Sequence, residues 1–456
     1  MRAIVLGGGI AGLAAAVELA DAGADTELWE AGPAVGGKLA ASPFAGLASV
    51  DESADAYLTR VPHAVEFAAR VGVTDVVHPT GAHATVWHGR LHDIPGGIVL
   101  GVPAAVRPFV TTRLLSWPAK LRAGLEPLLP RRVGRRPADH DSLGTLVRGR
   151  FGDEVHDRLV DALVGSIYAT DTDRASLAAV PQLASLAAAD RSLLLGARRR
   201  RTTAATGTGP IFAAPRGGMA ALAAAAAAHF NAAGILRTAW PAVALEPAGA
   251  GWRVTGPHGS TVADHVVLAT PAATAAALLM ACAPVSAGVL ATIEVADIAM
   301  VTLAVPGADW PARLAGRSGY LVPKTVQRTV TAASFGSQKW DHWRPESGDQ
   351  VLRVSLGRDG LPIDAYDDAE LLERAVAETS THLGLDLAPT ATRVTRWVGA
   401  FPQYRPHHHA RVAAATAALP AGLHLAGASY HGIGVPACIA GGLAAARAAL
   451  AESPDA

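Results

Sequence analysis

The chain has 456 residues, with 39 basic and 39 acidic side chains and a formal net charge of zero when the histidines are neutral. Balanced charge leaves no electrostatic footprint for nucleic acid, and two cysteines cannot build a disulfide framework and suit a reducing cytoplasm. The length allows two or three domains, and no uninterrupted run of about 20 strongly apolar residues of the kind that spans a bilayer is expected.

The first predicted strand, Ala3 to Leu6, starts almost at the first residue, so no leader peptide is expected. It runs into Gly7-Gly8-Gly9-Ile10-Ala11-Gly12, an alanine- and leucine-rich helix, and a second strand, Thr26 to Trp29, that ends at Glu30. This order has glycines where a dinucleotide needs them. Gly7 allows a tight turn, Gly9 lets the backbone approach a pyrophosphate, and Gly12 lets helix and strand pack closely. The helix N-terminus at Ile10 and Ala11 offers free N–H groups and the positive end of a dipole. Glu30 can accept from ribose hydroxyls and disfavours a 2′-phosphate, so FAD or NAD fits better than NADP.

Residues 61–72 read as an amphipathic helix, and His88-Gly89-Arg90-Leu91 as a hairpin turn. Helical patterns dominate from about 100 to 204, broken by five prolines. Arg131, Arg132, Arg135, Arg136 and Arg198 to Arg201 punctuate them as solvated faces or loops, or as contacts for an acidic membrane surface or for substrate carboxylates. Residues 218–230 are helical by propensity. Strands resume around Ala242 to Leu245, Gly251 to Thr255 and Asp264 to Thr270; residues 266–281 come nearest to a spanning segment but are broken by Pro271. Antiparallel alternation over 290–357, a helix over 367–384, a strand at Gly422 to Ala426 and a helix from Ala437 to Ala451 complete the chain. Consecutive His407-His408-His409 point in different directions, so a solvated loop is expected rather than a metal site.

Glu30 through Gly36-Gly37-Lys38 resembles the FAD fingerprint of the flavin amine oxidase superfamily. Several further segments, in the right order, resemble the flavin-dependent protoporphyrinogen and coproporphyrinogen oxidases. They are Asp51 to Ala56, Phe151 to Val155 with Ser166-Ile167-Tyr168-Ala169, and Gly319 to Pro323 with Ser337-Gln338-Lys339-Trp340. Arg396-Trp397 with Phe401 to Tyr404, and the tail from Gly422 to Leu450, complete the series. Ser53, Ala428 and Ala437 depart from the usual pattern of glycine, Asn or Glu, and Asp.

The resemblance implies an α/β (α+β overall) architecture of the two-dinucleotide-fold type. It comprises a Rossmann-like FAD-binding domain (1–80, 205–289 and 392–456), a mixed-sheet substrate domain (81–100 and 290–391) and a helical domain (101–204). It implies FAD contacts at Gly7, Gly9, Ile10, Ala11, Gly12, Glu30, Ala31, Gly37, Lys38, Ser53, Ala54, Asp55 and Ala56. It extends them to Val243 beside the adenine, Trp397 beside the isoalloxazine, and Gly434, Val435 and Pro436 at the last helix. Ile167 and Tyr168 would line the substrate cavity, Lys339 would anchor a propionate, and Cys438 would be a small core residue near the flavin.

The implied reaction is oxidation of coproporphyrinogen III with oxygen in haem synthesis, with protoporphyrinogen IX as the second substrate choice. The alanine- and arginine-rich composition suggests a GC-rich bacterial genome, where relatives favour the coproporphyrin route. Amine oxidases and carotenoid-type desaturases are the enzymatic rivals, and residues 151–169 and 397–404 argue against both. A non-catalytic flavin-binding scaffold is the rival of another class. Implied partners are the porphyrinogen, oxygen and the haem-pathway ferrochelatase. The implied location is cytoplasmic, with at most peripheral contact with the inner face of the membrane. No triad or metal cluster marks a catalytic acid or base.

Overall fold

The computed structural model describes residues 1–81, 83–135, 142–204 and 209–453, without the side chains of 202–204. Arg136 and the expected boundary at 205 fall outside the described residues. The N-terminal unit is β1 (Arg2–Leu6), α1 (Ile10–Asp21) and β2 (Asp25–Trp29), followed by a hairpin of β3 (Ala41–Phe44) and β4 (Leu47–Asp51). Strands β5 (His83–Trp87) and β6 (Leu91–Asp93) meet through a turn at His88, whose N–H donates to the Arg90 carbonyl at 2.9 Å. Helices α2 (Val106–Thr111), α3 (Trp117–Gly124) and α4 (Leu143–Phe151) come next, before a π-helix over His156–Gly165.

Helix α5 (Met219–Asn231) and β7 (Ile235–Arg237) precede an antiparallel meander over residues 244–263 and β8 (His265–Leu268). The second sheet draws on β9 (Val295–Val305), β10 (Arg317–Leu321), β11 (Val330–Phe335) and β12 (Gln350–Leu356). Helix α6 (Asp368–Leu383) follows, with a capping box between Asp367 and Glu370 and left-handed Gly384 at its end. Strand β13 (Ala391–Pro402), β14 (Leu423–Leu425) and α7 (Val435–Glu452) close the chain.

The first sheet is parallel, in the order β7-β2-β1-β8-β14. In β1, Ala3 and Val5 enter the core shared with α1, α5 and α7, while Ile4 and Leu6 enter the core beneath the meander. Burial on both faces explains why this strand reads as an unbroken apolar run. Helices α1 and α7 cross at Gly442, where an added Cβ would lie 2.1 Å from the Ala11 carbonyl oxygen. Among the described residues, α7 is the one helix long and apolar enough to cross a membrane. Its inward residues, from Val435 to Ala449, pack into the nucleotide-side core.

The seven-stranded second sheet runs β13-β9-β12-β11-β10-β5-β6. Strand β13 pairs along most of β9, so residues 392–402, expected with the nucleotide domain, hydrogen-bond into this sheet instead. Two other expectations change. His407 to His409 are not all a solvated loop: His407 sits in the turn before a helix that runs from His408 to Ala417, His409 is exposed, and His408 is buried, with its ring stacked 3.8 Å from that of Tyr404. The basic clusters are not simply solvated: Arg131 donates to the Ala188 carbonyl, Arg135 to the Asp190 carbonyl and Arg200 to Ser185. Carbonyls at helix ends need donors, and long guanidinium side chains supply them.

Candidate functional site

The glycine loop sits where β1 gives way to α1, and each glycine has a different reason. Gly7 has φ +104°, and a Cβ there would meet the Ala269 carbonyl at 2.8 Å. At Gly12 a Cβ would lie 1.9 Å from the Gly7 carbonyl oxygen. At Gly9 it would meet nothing within 4 Å. Protein packing therefore demands the first and third glycines. The second faces open space of the kind a phosphate needs. Helix α1 carries no side-chain cap, which leaves its first N–H groups, at Ile10, Ala11 and Gly12, to an outside acceptor.

Glu30 is bound into this loop by both oxygens, accepting from the Gly8 N–H at 2.6 Å and the Gly32 N–H at 2.7 Å. A carboxylate has lone pairs left over after two such bonds. Ala31 beside it is exposed. Gly36 and Gly37 fold against the loop, with Gly36 bridged to Gly9 and φ values of +111° and +55°. Lys38 is half-buried and lies 5.9 Å from the Phe401 ring centroid. Among the described residues it has no carboxylate partner, and burial pushes its ammonium below the ordinary lysine pKa. An open glycine cradle, an uncapped helix start and an unpaired cation suit an anionic dinucleotide such as FAD.

Helix α7 begins at Gly434, also without a side-chain cap, and Val435 and Pro436 are buried in its first turn. It runs in the same sense as α1: Ala11 lies against Gly442, and Glu18 pairs with Arg447 at 2.6 Å. Its uncapped start thus lies about 9 Å beyond that of α1, six residues at about 1.5 Å each. The preceding turn is held by Tyr404, whose hydroxyl donates to the Ala428 carbonyl at 2.6 Å and accepts from the Gly432 N–H at 2.7 Å. Cys438 is buried under this turn, and burial raises its thiol to about 11, too high for a nucleophile at neutral pH.

The segment Asp51 to Ala56 joins this nucleotide side to the second sheet. Arg353 donates to the carbonyls of Asp51 (3.1 Å) and Ser53 (2.5 Å) and pairs with Asp55 at 3.2 Å. Trp397, half-buried, donates to the Glu52 carbonyl at 3.0 Å. Asp55 also receives Lys339 at 2.8 Å and Trp340 at 3.1 Å. Burial alone would raise its pKa, but Lys339 and Arg353 overcome that and hold it well below the usual carboxylate range. Lys339, expected to anchor a propionate, is therefore committed to Asp55. Ala54 and Ala56 are half-buried beside it.

The surface holds two hollows, one of them shared with Arg353 beside this segment. A cleft of about 190 Å³ lies on the second sheet, lined by Met300, Ser318, Tyr320, Arg353 and Ser355 among others. The buried Nε of Arg353 has no hydrogen-bond partner. A second, small hollow of about 10 Å³ is lined by Val164, Tyr168, Thr170, Tyr404 and Ile433. Tyr168 thus faces a cavity, whereas Ile167 is 54% exposed and lines neither. Val243 is 62% exposed, and its N–H is committed to the Thr255 carbonyl at 2.8 Å. It follows the stretch where Trp240 donates to the Glu30 carbonyl, which places it on the Glu30 side of the loop.

Sequence reasoning missed Arg353, Arg358 and the Tyr404 hydroxyl. Arg358 pairs with Asp161 of the π-helix at 2.8 and 2.9 Å and donates to the Thr170 carbonyl. Both side chains are nearly sealed from solvent. A lone arginine in a strand or at its end gives no sign in sequence of its partners: Asp161 lies 197 residues from Arg358, and the Ser53 and Asp51 carbonyls lie 300 and 302 from Arg353. The alternation of Arg353 with the apolar Leu352 and Val354 marked it as facing away from the apolar core.

The family model described as flavin containing amine oxidoreductase matches residues 10–450. A coproporphyrinogen III oxidase of Mycobacterium tuberculosis is 32% identical over 99% of this chain and 98% of its own. That of Bacillus subtilis is 29% identical over 98% and 97%. A crystal structure from Exiguobacterium, of a chain provisionally named a protoporphyrinogen oxidase, superposes with a TM-score of 0.87 at 27% identity. It covers 99% of both chains.

Proposed function

As a member of the flavin-containing amine oxidoreductase family, with FAD as its cofactor, this chain oxidises coproporphyrinogen III to coproporphyrin III with oxygen as acceptor, we propose, as a step of haem synthesis. The observation that carries the reading is the end-to-end match to enzymes of that activity. The cleft supports it.

When bound, FAD supplies two-electron oxidation, so the six-electron conversion to a porphyrin takes three rounds. The chain's own groups bind and orient. We assign the pyrophosphate to the Gly7-Gly9-Gly12 loop with Ile10 and Ala11, the ribose to Glu30 and Ala31, and the adenine side to Val243. Gly37, Lys38, Ser53, Ala54, Asp55, Ala56 and Trp397 would border the rest of the cofactor. The N-terminus of α7 at Gly434, Val435 and Pro436 would face negative charge there.

Arg353 takes over the anchoring role expected of Lys339. It lines the cleft, is buried, and keeps one donor free for a propionate. The cleft wall offers hydroxyls, a thioether and one guanidinium, but no imidazole or carboxylate. The pyrrole proton therefore leaves to solvent or to a neighbouring pyrrole rather than to a side chain of this wall. Three domains, divided as the sequence suggested but with β13 in the substrate sheet, complete the reading.

We place the protein in the cytoplasm, with peripheral contact with the inner membrane face and with ferrochelatase as a partner. Exposed Trp117, Leu121, Leu125 and Leu128 share one side of α3 and its extension, near exposed Arg131 and Arg132.

The test is initial rate against concentration for coproporphyrinogen III and protoporphyrinogen IX under one set of conditions, with porphyrin fluorescence, oxygen uptake and peroxide recorded. Higher kcat/KM for coproporphyrinogen III is expected. A clear preference for protoporphyrinogen IX would reverse the substrate assignment, and strict dependence on added NAD would end the oxidase reading.

A further inference from the structure

At the end of the parallel sheet away from the glycine loop, β8 and β14 lie side by side, with Val267 opposite His424. That register puts His265 and His424 on the same face. The strand residue near His265 on the neighbouring side is Gly422, which adds no side chain between the two rings. Helix α7 ends over this face and brings Glu452 to it, where its Oε2 accepts the Gly422 N–H at 3.2 Å.

The donor atoms converge. His265 Nδ1 lies 3.3 Å from His424 Nε2, and Glu452 Oε2 lies 4.0 Å from the first and 3.8 Å from the second. Both imidazoles are buried, while the Glu452 carboxylate is half-exposed. A tetrahedral ion with bonds of about 2.0–2.2 Å sets its ligand atoms about 3.3–3.5 Å apart, so the nitrogens already have that spacing. A small rotation of the exposed glutamate closes the third edge. Two imidazoles with one carboxylate suit zinc rather than magnesium or calcium, which favour oxygen. The C-terminal end of an 18-residue helix adds negative potential.

We propose that His265, His424 and Glu452 form a zinc site, with water in the fourth position on the exposed side, that staples the end of α7 to the base of the nucleotide sheet. The site is separate from the oxidation chemistry and stands whether or not coproporphyrinogen III is the substrate.

The experiment uses tag-free, FAD-loaded full-length protein stripped by a chelator and titrated with zinc chloride by calorimetry, alongside thermal unfolding. One equivalent per chain and a Tm increase of several degrees are expected. Glu452→Gln, a change at a half-exposed position that keeps the fold, should weaken binding at least tenfold, and His424→Asn should weaken it further. His409→Ala, which alters the other histidine run, should change neither. Absence of zinc binding would overturn the proposal. So would binding that survives Glu452→Gln and His424→Asn unchanged or is lost in His409→Ala.

Discussion

The glycine loop at residues 7–12 and the joint between the π-helix and the end of β12 both fix the geometry of the site, but with opposite materials. The loop is made of backbone. Its tolerances are steric, and a single methyl at Gly12 would sit 1.9 Å from a carbonyl oxygen. The joint is made of buried ions, Asp161 with Arg358, and beside them Asp359 with Arg405 at 2.7 Å and with the half-exposed Arg174 at 2.7 Å. A steric site is broken by volume and is indifferent to charge. An ionic joint is broken by neutralising one partner, because the other is left charged and buried.

The largest effect should come from Gly9→Val, which fills the open cradle without touching the protein core. Flavin absorbance per mole of purified protein should fall to less than a tenth of wild type, and full occupancy would show that the loop is not the phosphate site. Next, Arg358→Leu should destabilise by about 3–5 kcal/mol by stranding Asp161. The double variant with Asp161→Asn should recover part of that. Calorimetric melts of the three proteins measure it, and a strictly additive double variant would mean that the pair is not coupled.

A smaller, functional effect is expected at Arg353→Lys. Loss of one charge-assisted hydrogen bond, about 1.5–3 kcal/mol, corresponds to roughly tenfold to a hundredfold in kcat/KM. Steady-state kinetics beside flavin content separate the two roles of this residue. A raised KM with normal flavin content supports anchoring, whereas flavin loss alone points to its bonds with residues 51–55.

The smallest effect is in pH dependence. Asp51 accepts the Met219 N–H with one oxygen, while its other oxygen has no partner. Burial raises its pKa from 3.8 to about 7, against the pull of Arg353. A carboxyl that holds its proton more tightly when folded contributes stability fully below pH 3.8, and that contribution is lost as pH rises through about 7. Asp51→Asn should therefore raise Tm more at pH 8 than at pH 5. Equal shifts at both pH values would contradict this.

The same contrast explains what was legible in the sequence. Gly7, Gly9 and Gly12 could be assigned individually because their roles depend on neighbours within a few residues of the turn. The helices at 219–231 and 368–383 follow from local propensity, and the latter from an Asp367–Glu370 cap. Lys339 was misread because its partner, Asp55, is 284 residues away. The π-helix was read only as a helix, since apolar spacing does not distinguish one extra residue per turn, and Ala169, which caps the short turn Ser166–Tyr168 that follows it, adopts φ +47° with no glycine to announce it. His408 was read from its neighbours as solvated, whereas the Tyr404 ring that covers it is a tertiary contact.

Strand β13 is both an edge of the second sheet and a clamp on the hairpin of the first half. Arg393 donates to the Ser42 and Val50 carbonyls, Thr395 to Glu52 and Trp397 to the Glu52 carbonyl, each two residues after the last. The spacing is that of one face of a strand. Removing or adding a single residue upstream of Trp397 would turn this row toward the opposite side while leaving every residue type intact. Outside Arg393, Thr395 and Trp397, descendants of this gene can drift at β13 by substitution, but a one-codon insertion or deletion within it would unfasten the hairpin in a single step.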